Sequence, residues 1–257
     1  MHPELRDGQK MPEDSLKSLT KVVSILDAFS TSRRSLSLAE ISAATGFPRS
    51  TAHRLAASMR HVGLLDQDNH RDRYRLGLKL FERGNTMLAN MDLHRAALPF
   101  VDALSRVTGH QAHLAVFDGQ QVIFIHRVSA DSGSPLTLIE AAPVHCTSVG
   151  KAILAFQPAA KIDSIVARGL ERLTDTTITD GRKFKSEMKA VRGRGYAVTE
   201  GEHHPGVRCI GAPIHDRSGG VVAGLSISSP MRRLKKDQVA ELAKIVMHHA
   251  RLVAAKL

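Results

Sequence analysis

The chain has 257 residues, of which 42% are hydrophobic and 24% charged, and its formal net charge is +11. This composition is typical of a globular protein with a core and excludes a fibrous or low-complexity chain. The positive charge favours an anionic partner. Nucleic acid is preferred to an anionic membrane surface because no concentrated run of lysine and arginine occurs. No segment approaches the roughly 18 apolar residues of a membrane span, and none at the N-terminus resembles a signal peptide.

Cysteine usage indicates the compartment. The two cysteines, Cys146 and Cys209, are far apart in the sequence and do not form a disulfide framework. We therefore expect a reducing, cytoplasmic environment.

An arm and a helix are predicted at the start of the chain. Residues 1–14 are polar and contain two prolines, which predicts a flexible arm. This arm is either disordered or contacts the minor groove of DNA. Between residues 15 and 30, apolar residues recur every three or four positions. This spacing predicts an amphipathic helix.

Residues 37–59 predict two short helices joined by a tight turn. Ser37 and Glu40 have the spacing of a capping box, Gly46 ends the first helix, and Pro48 stands where the second begins. The second helix has an apolar side and a polar, cationic front, which is the division that a helix-turn-helix requires. The DNA contacts predicted on that front are Arg49, Ser50, Thr51, His53 and Arg54.

A β-hairpin is predicted after this helix. Leu64 and Leu65 begin an extended segment, residues 66–72 are polar and turn-rich, and residues 73–76 resume the alternation of a strand. A hairpin in this position is a wing, and Arg71 and Arg73 on it are predicted to reach DNA. The alternative is that the wing arginines are solvated charges.

The second half of the chain has a different pattern. Residues 77–91 predict a linker helix, and Asp118 with Gly119 marks a hairpin between two strands. Paired strands with helices between them predict an α+β domain, an antiparallel sheet covered by helices. The predicted strands are residues 111–117, 122–128, 136–140, 195–199, 207–214 and 221–228, and the predicted helices are residues 92–107, 148–156, 162–168, 184–194 and 235–255.

Motifs in both halves resemble those of the IclR (isocitrate lyase regulator) family of bacterial transcription regulators. They are ISAATGFPRSTAHRLAASM (41–59), YRLG (74–77), PVHCTSVGKAILA (143–155), RGYAVT (194–199), GVRCIGAPIHD (206–216) and SISSP (226–230). The resemblance implies a winged helix-turn-helix at 15–76, a linker helix at 77–91 and a GAF-like effector-binding domain at 92–257. It also implies a regulator that forms homodimers or homotetramers and controls catabolism of organic acids, aromatic acids and sugars. A repressor is predicted, and an activator is the alternative that the sequence leaves open.

The resemblance further implies a ligand cavity in the second half. Ser226 and Ser228 share one face of a strand because they are two residues apart. Backbone N–H groups at the helix start near Gly150 would attract a carboxylate. Lys151 is predicted to be a solvated or interface charge, and the alternative is a ligand for that carboxylate. The implied effector residues are Thr147, Ser148, Val149, Thr199, Cys209, Ser226 and Ser228.

Several of the predicted site residues also have interpretations that are purely structural. Cys209 can be a buried small hydrophobic residue, the two serines can be ordinary strand residues, and His53 can be a surface or packing residue. Thr199 stands where better-known acid-binding members carry an aspartate, which allows a larger or more anionic ligand. Glu200 and Glu202 are predicted to point elsewhere by strand alternation.

Three other functions compete with this interpretation. A metal site at His203–His204 or His248–His249 is disfavoured because adjacent residues point to different sides and no zinc-ligand spacing occurs. An enzyme with Cys209 as nucleophile and His145 or His204 as base lacks a fixed pair. A non-specific DNA-compacting protein would not need the second half. The prediction is a sequence-specific DNA-binding regulator that senses a small organic acid, with no catalytic residue, cofactor or membrane.

Overall fold

The computed structural model describes residues 17–30, 32–68, 72–129 and 140–257. These residues divide into two compact units, an N-terminal unit that ends at Asn90 and a C-terminal unit that runs from Met91 to Leu257. The predicted arm, Arg71 on the predicted wing and residues 136–139 of a predicted strand lie outside the described residues. Within the described ranges, no helix combines the length and the apolar character that crossing a bilayer requires.

The N-terminal unit contains the predicted helix-turn-helix and a small antiparallel sheet in the order β1-β3-β2. The hairpin β2–β3 is confirmed. The additional strand β1 was not predicted, because three residues are too few to show alternation. The elements are α1 (Lys17–Asp27), β1 (Ser35–Ser37), α2 (Leu38–Thr45), α3 (Arg49–His61), β2 (Leu65–Gln67), β3 (Arg73–Leu76) and α4 (Leu78–Asn90).

The ends of α2 follow from its sequence. The Glu40 backbone N–H donates to Ser37 Oγ at 3.3 Å, and the Ser37 backbone N–H donates to Glu40 Oε2 at 2.7 Å. The predicted capping box is therefore confirmed. Gly46 follows the helix with φ 70°, a conformation that glycine adopts without a steric penalty. Ile41 of α2 is buried as predicted, but Ala44 is exposed.

The C-terminal unit is built on a six-stranded antiparallel sheet in the order β6-β5-β4-β9-β8-β7. The last strand in the chain, β9, therefore lies in the middle of the sheet, between β4 and β8. The elements are α5 (Asp92–Thr108), β4 (Gln111–Phe117), β5 (Gln121–Val128), β6 (Glu140–Pro143), α6 (Ser148–Leu154), α7 (Ala159–Ala167), α8 (Gly181–Arg194), β7 (Ala197–Glu200), β8 (Val207–His215), β9 (Val221–Pro230) and α9 (Val239–Ala254).

A hydrophobic core joins the helices α6 and α8 to this sheet. Ala115 of β4 and Ala197 of β7 belong to the same buried cluster as Ile153 of α6 and Phe184 of α8. The α+β architecture predicted from the sequence is confirmed. One strand differs, because the structure describes β6 at Glu140–Pro143, whereas the sequence predicted a strand at residues 136–140.

Candidate effector cavity and DNA interface

Helix α3 has one side buried in the N-terminal unit and one side exposed. Ala52, Ala56 and Met59 are buried in the core of the N-terminal unit. No acidic residue occurs in the helix, so its exposed side offers only neutral and cationic groups to an anionic partner. Of the predicted DNA-contacting residues, Thr51 is half-buried, and the exposed ones are Arg49, Ser50, His53 and Arg54.

Arg73 of the wing is engaged within the N-terminal unit. Its Nη2 lies 2.8 Å from Glu40 Oε2 and donates to the Ser35 carbonyl oxygen at 2.8 Å, and its Nε donates to Ser35 Oγ at 3.0 Å. The Ser37 hydrogen bonds and then Arg73 lower the pKa of Glu40. Arg73 thus connects β1 and β3 to the start of α2.

A cavity of about 270 Å³ lies in the C-terminal unit, and all seven predicted effector residues line it. Five strands and the start of one helix supply its walls, so residues far apart in sequence meet there. The predicted residues are Thr147, Ser148, Val149, Thr199, Cys209, Ser226 and Ser228.

Four of the lining residues form one row across the sheet, and the register of the strands explains why. Cys209 of β8 is opposite Thr199 of β7 on one side and opposite Ser228 of β9 on the other. Ser228 is in turn opposite Gln111 of β4. Directly opposed residues of an antiparallel sheet lie on the same face, so these four side chains form one row.

A second row lies two residues further along the same face. His113 of β4 is opposite Arg127 of β5 and opposite Ser226 of β9, and Ser226 is opposite Gly211 of β8. Residues two apart on a strand point to the same side. The two rows therefore form a continuous polar floor for the cavity.

A β-bulge places Arg127 and Phe124 on the same face. Leu114 is opposite His126, but Ala115 is opposite Phe124, so Ile125 is an extra residue in β5. The Arg127 guanidinium carbon lies 4.5 Å from the centroid of the Phe124 ring. Regular alternation would send residues three apart to opposite faces. The bulge is thus the reason that Arg127 reaches the cavity.

Helix α6 rests on the sheet at two glycines. A Cβ at Gly211 would lie 2.6 Å from the carbonyl carbon of Ser148, and a Cβ at Gly224 would lie 2.5 Å from Val149 Cγ2. The absence of side chains allows the start of α6 to approach the strands and to border the cavity. Thr147 caps this helix, since its Oγ1 accepts from the Gly150 N–H at 3.2 Å.

A buried ion pair lies at the cavity wall, to which Glu202 contributes. Lys151 is 1% exposed, and its Nζ donates to the two carboxylate oxygens of Glu202 at 2.5 and 2.6 Å. The prediction of a solvated or interface charge at Lys151 is wrong, because every residue of α6 is buried. The prediction that Glu202 points elsewhere is also wrong. Strand β7 ends at Glu200, so alternation does not extend to Glu202.

The segment after β7 is held by threonines of a neighbouring loop. Thr176 Oγ1 donates to the Glu200 carbonyl oxygen at 2.9 Å, and Thr177 Oγ1 donates to the Glu202 carbonyl oxygen at 2.7 Å. The next two residues, His203 and His204, line the cavity. Burial raises the pKa of Glu202, and the Lys151 ammonium opposes that shift.

Burial keeps the thiols of the cavity and one imidazole in their neutral forms. It raises the pKa of Cys209 to about 11, against a hydrogen bond with Thr199, and raises that of Cys146 to about 12. Burial and then the charge of Arg127 lower the pKa of His113 to about 3. A catalytic cysteine requires a thiolate, so the cavity lacks the environment that a Cys209 nucleophile would need.

The other alternative sites gain no support. His145 forms a hydrogen bond with the Glu171 carbonyl oxygen at 2.9 Å and is not among the residues lining the cavity. Within residues 17–30, 32–68, 72–129 and 140–257, no group of three or more His, Cys, Asp or Glu residues could hold a metal ion.

Several lining residues were not predicted. The two-residue spacing of Gln111 and His113 on one strand is a signal that could have found them, whereas Arg127 depends on the bulge. The additional lining residues are Gln111, His113, Phe124, Arg127, Cys146, Glu202, His203, His204 and Val207.

A winged helix-turn-helix unit followed in the same chain by a sheet domain with a cavity is the architecture of a DNA-binding transcription regulator. Family models agree with that class. Residues 18–69 match the IclR helix-turn-helix domain, and residues 85–255 match the bacterial transcriptional regulator IclR C-terminal domain. The chain belongs to the IclR family of transcriptional regulators.

Relatives cover almost the whole chain. The HTH-type transcriptional regulator KdgR of Escherichia coli K12 is 34% identical over 98% of this chain and 96% of its own length. The HTH-type transcriptional repressor AllR of Klebsiella pneumoniae is 30% identical over 98% of this chain and 94% of its own. Both names describe transcription regulators rather than enzymes, and the AllR name describes a repressor.

Solved structures have the same fold. An IclR homologue from Microbacterium hydrocarbonoxydans, crystallised with 4-hydroxybenzoate, superposes with a TM-score of 0.79 at 25% identity, covering 94% of this chain and 99% of that one. IclR of Thermotoga maritima superposes with a TM-score of 0.69 at 29% identity, with the same coverage.

Proposed function

We propose that this chain binds operator DNA sequence-specifically and that a small organic acid in the C-terminal cavity changes its affinity for that operator. The observation that carries the ligand part is that all seven residues implied by the family resemblance line one cavity. The DNA part follows from family membership and from the cationic exposed side of α3.

The exposed residues of α3 suit different parts of a DNA duplex. Arg54 is exposed within the helix and can pair with a guanine edge, whereas Arg49 at its first position suits a phosphate. Ser50 and Thr51 are hydroxyl donors at the start of the same helix. This unit therefore offers both base-reading and backbone-binding groups.

The charge around the cavity favours an anionic ligand. Arg127 presents a guanidinium at one side of it, and guanidinium groups bind carboxylates in a planar, two-bond geometry. The carboxylate of Glu202 is bound by Lys151, so it repels an incoming anion less than an unpaired carboxylate would. The 4-hydroxybenzoate complex of the Microbacterium protein is a precedent for an acid in a related chain.

The proposed mechanism is thermodynamic linkage between effector binding and DNA binding. The chain acts as a homodimer or homotetramer in which two copies of α3 read two half-sites, and the segment 77–91 links the DNA-binding and effector-binding domains. Half-site spacing must match the separation of the recognition helices. A ligand that favours one arrangement of the subunits therefore changes operator affinity by the difference in its own affinity for the two arrangements.

Titration of the purified protein against its own upstream DNA tests this function. Arg54→Ala should weaken specific binding by about 1–3 kcal/mol, and Arg106→Ala, on the exposed side of α5, should leave it unchanged. A panel of aliphatic and aromatic acids is then added to the wild-type complex. An intact protein that ignores its upstream DNA at low salt, or whose DNA affinity no acid alters, would refute the proposal.

A further inference from the structure

Helix α8 of the C-terminal unit is strongly basic. Six of its 14 residues are Lys or Arg and one is acidic, whereas α3 has three Lys or Arg among 13 residues. Residues 91–257 contain 22 Lys and Arg and 15 Asp and Glu, whereas residues 1–90 contain 14 and 10. The positive charge that favours an anionic partner is therefore greater in the C-terminal unit than in the DNA-binding one.

The packing of α8 leaves its cations exposed. Phe184, Met188 and Val191 are buried in the core of the C-terminal unit, and their spacing places them on one side of the helix. The exposed cations are Arg182, Lys183, Lys185, Lys189, Arg192 and Arg194. Folding therefore presents a cationic surface on the sides of α8 that the core does not cover.

Four of these cations form a stripe along one flank of the helix. The stripe consists of Arg182, Lys185, Lys189 and Arg192. Spacings of three and four residues place side chains on the same flank. At the rise of an α-helix the stripe is about 15 Å long, and each strand of duplex DNA presents about four phosphates over that length. The stripe thus fits a short segment of DNA backbone in length and in number of charges.

The acids around α8 balance only part of its charge. Asp163 of α7 lies 2.6 Å from the Lys185 ammonium, and Glu187 lies 2.7 Å from the Arg194 guanidinium. Asp180 caps the start of the helix. Six cations therefore face three acids, so positive charge remains in excess on this surface.

The exposed side of α8 lacks apolar anchors. Its other exposed residues are Ser186, Ala190 and Gly193. Protein interfaces depend in large part on buried aromatic and other large side chains, and a helix that lies on a membrane needs such side chains along one face. A phosphate backbone requires mainly positive charge. The exposed surface of α8 is therefore better suited to DNA than to a protein or a membrane.

We propose that α8 is a second DNA-contacting surface, at which the stripe binds the phosphate backbone of duplex DNA outside the operator half-sites. Contacts to phosphates carry no sequence information, so α8 adds affinity without specificity. This inference rests on the proposed function in one respect, because α3 is taken to hold the protein on the operator. It goes beyond that function by giving the C-terminal unit a direct contact with DNA.

Titrations of the full chain on two operator probes test this contact. The short probe contains the half-sites alone. The long probe adds about 20 base pairs on each side, or about 68 Å, which exceeds the roughly 40 Å diameter of a domain of this size. Arg182→Gln combined with Lys189→Gln is the test variant, because neither residue forms an ion pair within the described ranges. Arg106→Gln combined with Lys256→Gln removes two exposed cations outside α8 and is the matched control.

The test variant should change the salt dependence on the long probe alone. We expect the slope of log affinity against log salt to fall by about 2 on that probe, since each lost phosphate contact removes about 0.9. The slope on the short probe should not change, and the control should match the wild type on both probes. If the test variant does not fold, Lys189→Gln alone should lower the long-probe slope by about 1.

An unchanged slope on the long probe, in a folded test variant, would overturn the inference and would point instead to an acidic protein as the partner of α8. An equal fall in slope for the control would also overturn it, because the effect would then reflect net charge alone. Failure of the wild-type protein to bind the short probe at low salt would instead count against the proposed function. The two failures are therefore distinguishable.

Discussion

Lys151 and Glu202, 51 residues apart in sequence, form a buried ion pair that joins α6 to the segment after β7. Each partner lies on an element that borders the cavity, so the pair fixes one wall relative to the other. Taking two charges out of water is costly, and the pair is tolerated because both carboxylate oxygens accept hydrogen bonds from Nζ.

Removing one member of this pair should destabilise the protein much more than removing both. Lys151→Met leaves the buried Glu202 without its counter-charge and should lower the free energy of unfolding by about 3–5 kcal/mol. Lys151→Met with Glu202→Leu should recover most of that loss, because no buried charge remains. Denaturation with urea measures both. Equal stability of the single and double variants would show that the pair does not have the energetic role assigned to it.

The close approach of α6 to β8 gives a second expectation. Gly211→Ala would place a Cβ 2.6 Å from the backbone of Ser148, and backbone atoms cannot move aside as a flexible side chain can. The variant should lose about 1–3 kcal/mol of stability. It should also bind the acid more weakly, because α6 would be displaced at the cavity.

Gly193 of α8 is the matched control for this substitution. A Cβ there would meet no heavy atom within 4 Å, and alanine is the better helix former. Gly193→Ala should therefore stabilise the protein by about 0.4–1 kcal/mol and leave ligand affinity unchanged. If both variants behaved alike in thermal unfolding and calorimetry, the contact of α6 with Gly211 would not be the constraint described.

Local signals made the helix-turn-helix predictable. The capping box of Ser37 and Glu40, and the helix end at Gly46, depend on residues three to nine positions apart, and short-range hydrogen bonds determine them. That Ser226 and Ser228 lie on one face was also predictable from a local pattern, because a strand places residues two apart on the same side.

Non-local pairing explains what was missed. The partners Lys151 and Glu202 come from elements that only the folded sheet brings together. Arg127 enters the cavity because Ile125 is bulged, and a bulge cannot be read from a run of apolar residues in one sequence. The charged groups of this cavity were therefore the least predictable part of it, whereas several of its hydroxyls were foreseen.

Arg73 was predicted to contact DNA, and its contacts with Glu40 and Ser35 suggest a different experiment. We propose that it positions β1 and α2, whereas Arg49 binds a phosphate. Arg49→Ala should reduce the slope of log affinity against log salt by about 1. Arg73→Ala should leave that slope unchanged and lower stability by about 0.2–1 kcal/mol, as for other exposed ion pairs. Anisotropy titrations at several salt concentrations measure the slopes, and a reduction by Arg73→Ala would assign it to DNA.

His113 should make the C-terminal unit less stable in acid. Its pKa is about 3 in the folded protein, against an ordinary value of 6.5, because burial and Arg127 disfavour the charged form. Between these values the unfolded chain binds a proton that the folded chain does not, so stability rises with pH and falls as pH is lowered below about 6.5.

Replacing His113 by a group that does not titrate should remove this pH dependence. A shifted group contributes up to about 1.4 kcal/mol per pH unit, so in His113→Gln the change in unfolding free energy from pH 6 to pH 4 should be smaller by about 2 kcal/mol than in the wild type. His248→Gln, at an exposed position of α9, is the control and should keep the wild-type profile. Urea denaturation across that pH range measures all three proteins. A profile for His113→Gln as steep as that of the wild type would mean that the imidazole is already protonated in the folded chain or is not buried beside Arg127.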